Sequence, residues 1–284
     1  MKYGTGFALT KMGLPTSDIV DFTQGLEGAG INYMTFAGHA LSAAPERYAG
    51  RPPATYVGPF RDPFVTFAYL AAKTSSIHFF TGILIAASMP TALLAKQAAE
   101  LQNVSGGRFE MGVGISWNED EYRALGQPFA NRARRQEEQA VLMKRFWTEP
   151  YVTFESRYHS INALGIGTLP SPPPPIWYGS NVIDRVARVA DGWMPIGDVV
   201  AGIPALREAL KANGRDATNF PIMGRLPATD EGPEAWVAEA RRLQSAGVTH
   251  LTIGMPPGVD DLGATLKRVT EAKNAVEAAL GGLN

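Results

Sequence analysis

The amino-acid sequence predicts a (β/α)8 TIM barrel of the α/β class, on three observations. Short β-type runs alternate eight times with segments whose apolar residues recur at helical spacing. The stretches between runs are long enough for the crossovers that parallel strands require, and such crossovers are right-handed almost without exception. The length of 284 residues suits a closed barrel, which commonly needs about 250. An open doubly wound sheet is the alternative built from the same parts.

Taken in order, Tyr3–Leu9 alternates as a first strand, and Ile19, Phe22, Leu26 and Ala29 then line one face of a helix. Tyr33–Phe36 is the second strand. The segment Gly38–Arg61, rich in Gly, Pro and Ala, departs from the repeat and suits a shaped lid through Gly50, Pro52, Pro53 and Gly58. Ile77–Leu84 and Phe109–Val113 are the third and fourth strands, separated by a helical stripe of Leu94, Ala98 and Leu101. Tyr151–Ile161 alternates like a hairpin, and Pro170–Pro175 reads as a stiff extended connector. The remaining strands are Ile176–Tyr178, Gly192–Pro195, Pro221–Arg225 and Leu251–Gly254. A last helix carries Leu262, Leu266, Val269 and Val276. Neither half could close a barrel alone, so one domain over residues 1–284 is expected.

Apolar residues make up 45% of the chain and charged ones 19%, a globular balance. The 26 Lys and Arg against 27 Asp and Glu provide no basic footprint for nucleic acid or an anionic membrane, which favours a small-molecule substrate. The chain contains no cysteine, which excludes disulfides, thiolate metal sites and thiol nucleophiles. Its longest apolar stretch, Gly82–Ala95, is interrupted by Ser88, Pro90 and Thr91 and is too short to span a bilayer. The opening MKYGTGFAL lacks a signal peptide's apolar centre, so a cytoplasmic location is expected.

The segment Asn103–Leu125 is the first site candidate. A turn at Ser105-Gly106-Gly107 and a short strand lead into Gly114-Ile115-Ser116-Trp117-Asn118, a glycine-bearing loop at a strand's carboxyl end. Gly112-Val113-Gly114 begins like a dinucleotide fingerprint, but Trp117 stands where its third glycine would be, and Asn118 breaks a Gly-x-Ser-x-Gly elbow. Tight strand-to-helix packing is the other reading. Asn118 is expected to cap the next helix, with Glu119, Asp120 and Glu121 facing the positive end of its dipole. His39 follows the second strand directly and is either an acid or base at the barrel mouth or a loop histidine bonded to a carbonyl. His78 and His250 lie at strand starts, on the stability face. No two histidines have metal-ligand spacing. Gly179-Ser180-Asn181 precedes a helix and offers backbone N–H groups, a hydroxyl and an amide to a phosphate, or is a plain capping turn.

Three blocks together resemble the bacterial-luciferase-like superfamily of flavin and deazaflavin oxidoreductases. They are Asp62-Pro63 with Leu70-Ala71-Ala72-Lys73-Thr74 and Thr81-Gly82-Ile83-Leu84; Leu94-Ala95-Lys96-Gln97 through Ser105-Gly106-Gly107-Arg108 to Gly112-Val113-Gly114; and Pro174-Pro175-Ile176-Trp177-Tyr178-Gly179 with Asp191-Gly192-Trp193. Their order is similar to the subgroup that uses coenzyme F420. The resemblance implies a TIM barrel with the cofactor at its carboxyl mouth and a cis Gly82–Ile83 peptide, after Thr81, supporting the ring from behind. It further implies that Gly114, Ile115, Ser116 and Trp117 form part of the ring and ribityl site, that Gly179, Ser180 and Asn181 cradle the phosphate, and that His39 lies by the reactive face.

Two departures matter. Gly38 stands where members of the deazaflavin group often carry an acid, and Trp117 where a sugar-phosphate dehydrogenase of the family has a glutamate, so Trp117 would wall the pocket instead. The expected function is hydride transfer between F420 and an organic substrate, with His39 handling the proton. FMN-dependent monooxygenation and non-catalytic cofactor binding are the alternatives. The coenzyme's acidic tail would favour Arg47, Arg51 or the Arg132, Arg134 and Arg135 group, although the last reads rather as a solvated helix face. An apolar pocket of Phe36, Trp117, Trp177 and Trp193 would suit an aromatic substrate, unless these rings are core. Family resemblance also implies a homodimer.

Overall fold

The computed structural model describes residues 1–7, 11–44, 46, 59–255 and 261–281. Eight parallel strands follow the order β8-β7-β4-β3-β2-β1-β10-β9. They are β1 (Lys2–Gly6), β2 (Tyr33–Gly38), β3 (His78–Leu84), β4 (Phe109–Val113), β7 (Ile176–Tyr178), β8 (Gly192–Trp193), β9 (Met223–Pro227) and β10 (His250–Gly254). The seam between β8 and β9 is joined by one parallel bridge, Trp193 to Ile222, so the sheet curls into a barrel as predicted. The open-sheet alternative is thereby set aside.

Helices α1 (Thr16–Gly28), α2 (Pro63–Ala71), α3 (Thr91–Val104), α4 (Glu119–Ala124), α5 (Arg132–Thr148), α6 (Ile183–Val189), α7 (Val199–Ala212), α8 (Pro233–Ala246) and α9 (Leu262–Leu280) fill the crossovers. Most stripe residues are buried where the spacing placed them, Ile19, Phe22 and Leu26 on α1, Leu94, Ala98 and Leu101 on α3, Val269 and Val276 on α9, while Ala29, Leu262 and Leu266 are half-buried. Asp62 caps α2, accepting from the Val65 N–H at 2.9 Å, with Pro63 at the first helical position.

Strands β5 (Val152–Glu155) and β6 (Ser160–Leu164) form the expected antiparallel hairpin. It lies outside the barrel, because β4 pairs directly with β7. Its His159 bonds Thr91 at the start of α3 at 2.6 Å and Glu138 on α5 at 2.5 Å, so the histidine fastens the hairpin to two helices.

Side chains two residues apart share a face of a strand. Tyr33, Thr35 and Ala37 of β2 therefore point together, as do Phe80 and Gly82 of β3. Tyr33, Phe80, Trp177 and Met223 form a cluster separate from the main core. The space that a side chain on Gly4 or Gly192 would fill is occupied by the Tyr33 and Trp177 rings respectively. This aromatic plug closes the lower interior and leaves the carboxyl end open.

Candidate functional site at the barrel mouth

A cavity of about 700 Å³ opens at the carboxyl ends of the strands. That volume lies within the range of about 300–1,000 Å³ typical of small-molecule sites. Gly82 and Ile83 from β3 and Gly179 after β7 line it, together with Thr35, Ala37 and the Met194-Pro195-Ile196 segment after β8. The Gly82–Ile83 peptide is cis, as the resemblance implied.

Ile83 is held between two glycines. A Cβ on Gly114 would stand 2.6 Å from Ile83 Cδ1, and one on Gly179 would stand 2.7 Å from Ile83 Cγ2. Both positions must lack a side chain for Ile83 to occupy the rim where β3, β4 and β7 end. The structure thus brings together Gly82, Ile83, Gly114 and Gly179, which the sequence had singled out separately.

The other expected contacts divide. Thr81 is fully buried, and its hydroxyl donates to the Gly112 carbonyl at 2.7 Å, so it ties β3 to β4. Ser116 adopts φ 50°, and its Oγ accepts from the Asn118 N–H at 3.2 Å. The Ile115 carbonyl accepts from the Tyr122 hydroxyl at 2.7 Å, and burial pushes that phenol's pKa up to about 12. Trp117 is 47% exposed and does not line the cavity. Ser180 Oγ accepts from the Val182 N–H at 3.1 Å, a turn just ahead of α6, whose cap residue Val182 has no side-chain cap bond. The Asn181 side chain donates to the Ile196 carbonyl at 3.0 Å and accepts from its N–H at 3.1 Å, bracing the loop after β8.

Phe36, Trp177 and Trp193 are core: all three are buried and none lines the cavity. The Trp177 indole donates to Glu110 at 2.7 Å and that of Trp193 to the Ser180 carbonyl at 2.7 Å. The arginine group departs from both sequence readings. Arg135 is buried and donates to the carbonyls of Pro128 and Ala87, while Arg132 lies over the Phe129 ring at 3.6 Å and donates to the Ser116 carbonyl at 3.2 Å. Two of the three are internal braces of the mouth loops, and Arg134 alone is exposed. Arg47, Arg51 and most of the expected lid lie outside the described residues. Arg61, at the lid's end, donates to the carbonyls of Met12 and Leu14 at 2.8 and 2.6 Å.

Asn118 caps α4 as expected, accepting from the Asp120 N–H. Glu119 and Asp120 pair with Arg123 at the surface. Glu121 corrects the expectation that all three acids serve the helix dipole. Its side chain is 1% exposed, with Oε2 2.8 Å from His39 Nδ1 and Oε1 accepting from the Ala40 N–H at 2.7 Å. The Phe60 ring covers His39 at 4.7 Å. His39 at the end of β2 is therefore bonded to a carboxylate through Nδ1.

Two cationic residues at the cavity went unpredicted. Lys11, only 4% exposed, lines it with Nζ 2.8 Å from Thr265 Oγ1, and Arg225 at β9 is exposed there. The place of Lys11, two residues past the expected first strand and so at a barrel's carboxyl mouth, was the available signal.

An eight-stranded α/β barrel with a cavity at the strands' carboxyl ends is the architecture on which enzymes of many chemistries place their active sites. Residues 4–279 match the family model of the luciferase-like monooxygenases, and the chain belongs to that family. It is 32% identical over 207 residues to an uncharacterized protein of Mycobacterium tuberculosis, covering 69% of this chain and 68% of that one. It is 29% identical over 215 residues to the FMNH(2)-dependent dimethylsulfone monooxygenase of Pseudomonas putida, covering 72% of this chain and 56% of that protein. Among solved structures, an F420-dependent secondary alcohol dehydrogenase superposes with a TM-score of 0.79 at 14% identity, over 97% of this chain and 98% of that one. A monooxygenase from Streptomyces bottropensis superposes with a TM-score of 0.80 at 17% identity, over 99% and 100%. At those identities the superpositions show a shared fold. Among the described residues no helix is long and apolar enough to cross a membrane.

Proposed function

We propose that the chain is an oxidoreductase that seats coenzyme F420 at the barrel mouth and moves a hydride between it and an organic substrate. The observation that carries this reading is the placement of Ile83 between Gly114 and Gly179 at the rim of the 700 Å³ cavity. Three strand ends give up side chains there, so a flat ring can lie against an apolar surface close to backbone. The similarity of the sequence blocks to the F420 subgroup supports the choice of coenzyme.

A deazaflavin has carbon in place of the flavin N5, so when bound it supplies hydride transfer and does not readily activate dioxygen. In this reading Gly82 and Ile83 support the ring, the Gly114–Trp117 loop borders it, and Gly179 and Ser180 present backbone toward the phosphate. The Asn181 clasp on Ile196 keeps the loop after β8 in place beside them. His39 handles the proton that accompanies hydride transfer. The apolar part of the lining, Ile83, Met194, Pro195 and Ile196, would keep water from the ring and so strengthen the polar contacts beside it.

A second reading, monooxygenation with reduced FMN, is supported by the similarity to the dimethylsulfone monooxygenase. Reconstitution with F420 and with FMN separates the two. Tighter binding of F420 is expected, and FMN binding alone would transfer the assignment to the second reading. Tight binding without hydride exchange against any redox partner would indicate a carrier.

A further inference from the structure

Both oxygens of the buried Glu121 carboxylate are engaged, and they are not equivalent. Oε1 accepts from two backbone N–H groups, Ala40 at 2.7 Å and Leu41 at 3.4 Å, while Oε2 faces His39 Nδ1 at 2.8 Å. A carboxylate can only accept, so the ring nitrogen facing it carries a proton. In the neutral imidazole a proton on Nδ1 leaves the lone pair on Nε2.

We propose that Glu121 is the positioning residue of His39, holding the ring as the Nδ1–H tautomer so that Nε2 takes up and returns the proton of the reaction. This rests on the reading of His39 as the proton-handling group. The proton passes from a substrate heteroatom to Nε2, the ring becomes an imidazolium, and its Nδ1–H stays bonded to the still-ionised Glu121. The bond also fixes the ring's rotation, with Phe60 against its face.

The inequality of the two oxygens makes the idea testable. In Glu121→Gln the amide oxygen must keep the Oε1 position, because two backbone donors meet there. The amide NH2 is then turned toward Nδ1, which must accept, and the ring proton moves to Nε2. A carboxylate whose only role is to accept from the Ala40 and Leu41 N–H groups would leave the tautomer unchanged.

The test is nitrogen-15 NMR of the imidazole rings in the full chain, which has four histidines, with the His39 signals identified by their loss in His39→Gln. The expected wild-type pattern is a protonated, pyrrole-type shift at Nδ1 and a pyridine-type shift at Nε2, with the two types exchanged in Glu121→Gln. A pyridine-type Nδ1 in the wild type overturns the proposal without recourse to any variant, as does an unchanged pattern in Glu121→Gln. Titration of the wild type with F420 and FMN distinguishes the two levels of failure. No binding of either overturns the reading of the mouth and with it any catalytic use of His39, whereas an Nε2–H ring in a protein that does bind overturns the Glu121 assignment alone.

Discussion

His250 makes the stability of this barrel depend on pH, and the size of the effect follows from its surroundings. The ring stands at the start of β10, 6% exposed, against Trp177 at 4.8 Å and Tyr33 at 5.7 Å. Nδ1 meets the Thr249 hydroxyl at 2.8 Å, and Nε2 has no hydrogen-bond partner among the described residues. Burial pushes the pKa down from 6.5 to about 4, with Lys2, the amino terminus and His78 acting in the same direction and Glu110 opposing them. The folded protein thus keeps this ring neutral until about pH 4, while the unfolded chain protonates it near pH 6.5. Across that interval the unfolded state binds more protons, so acid favours unfolding. The stability is fully present above pH 6.5, falls as the pH drops, and its loss is complete below about pH 4. At about 1.4 kcal/mol per pKa unit the loss is about 3 kcal/mol, a large share of a total of about 5–15. Urea unfolding of the wild type and of His250→Asn, which keeps a polar atom near Thr249, measures it at steps from pH 7 to pH 4. The wild type should lose about 3 kcal/mol more than the variant over this range, with other titrations common to both. Parallel stability curves would refute the reasoning.

Other substitutions test the mouth and its supports. Gly179→Ala and Gly114→Ala each place a methyl within 2.7 Å of Ile83, so each should weaken coenzyme binding about tenfold in a fluorescence titration, at a stability cost of about 1–3 kcal/mol. Arg135→Met leaves the Ala87 and Pro128 carbonyls without their buried donor and should lower stability by about 2–3 kcal/mol in denaturant unfolding. Asp62→Ala removes the α2 cap and should cost about 1 kcal/mol by the same measurement, with coenzyme affinity unchanged.

Most of the fold was legible because strand and helix signals are local. Phe109–Val113 and Ile176–Tyr178 form strands over the predicted residues, since each is a short run, apolar but for Glu110, bounded by turn residues. β8 stops at Trp193, short of the expected Pro195, which has no N–H to extend a ladder. β9 begins two residues later than expected, at Met223. Pro221 instead lends its carbonyl to the Trp193 N–H at the seam. The glycines at 82, 114 and 179 were legible as loop residues, but that they converge on one isoleucine depends on three strands meeting, which no local pattern records. Glu121 was misread for the same reason. Three acids after Asn118 look alike on a helix start, and only the fold delivers His39 from 82 positions away to one of them. Arg132 and Arg135 likewise look solvent-facing until the carbonyls they serve are known.

The central claim is that the mouth around Ile83 seats a deazaflavin or flavin ring. Calorimetric titration of the wild type and of Gly179→Val with F420 and FMN tests it most directly. One saturable site for F420 in the wild type, with affinity lost in the variant while its far-ultraviolet spectrum is retained, is the predicted result. Failure of both compounds to bind the wild type, or equal binding by the variant, would contradict it.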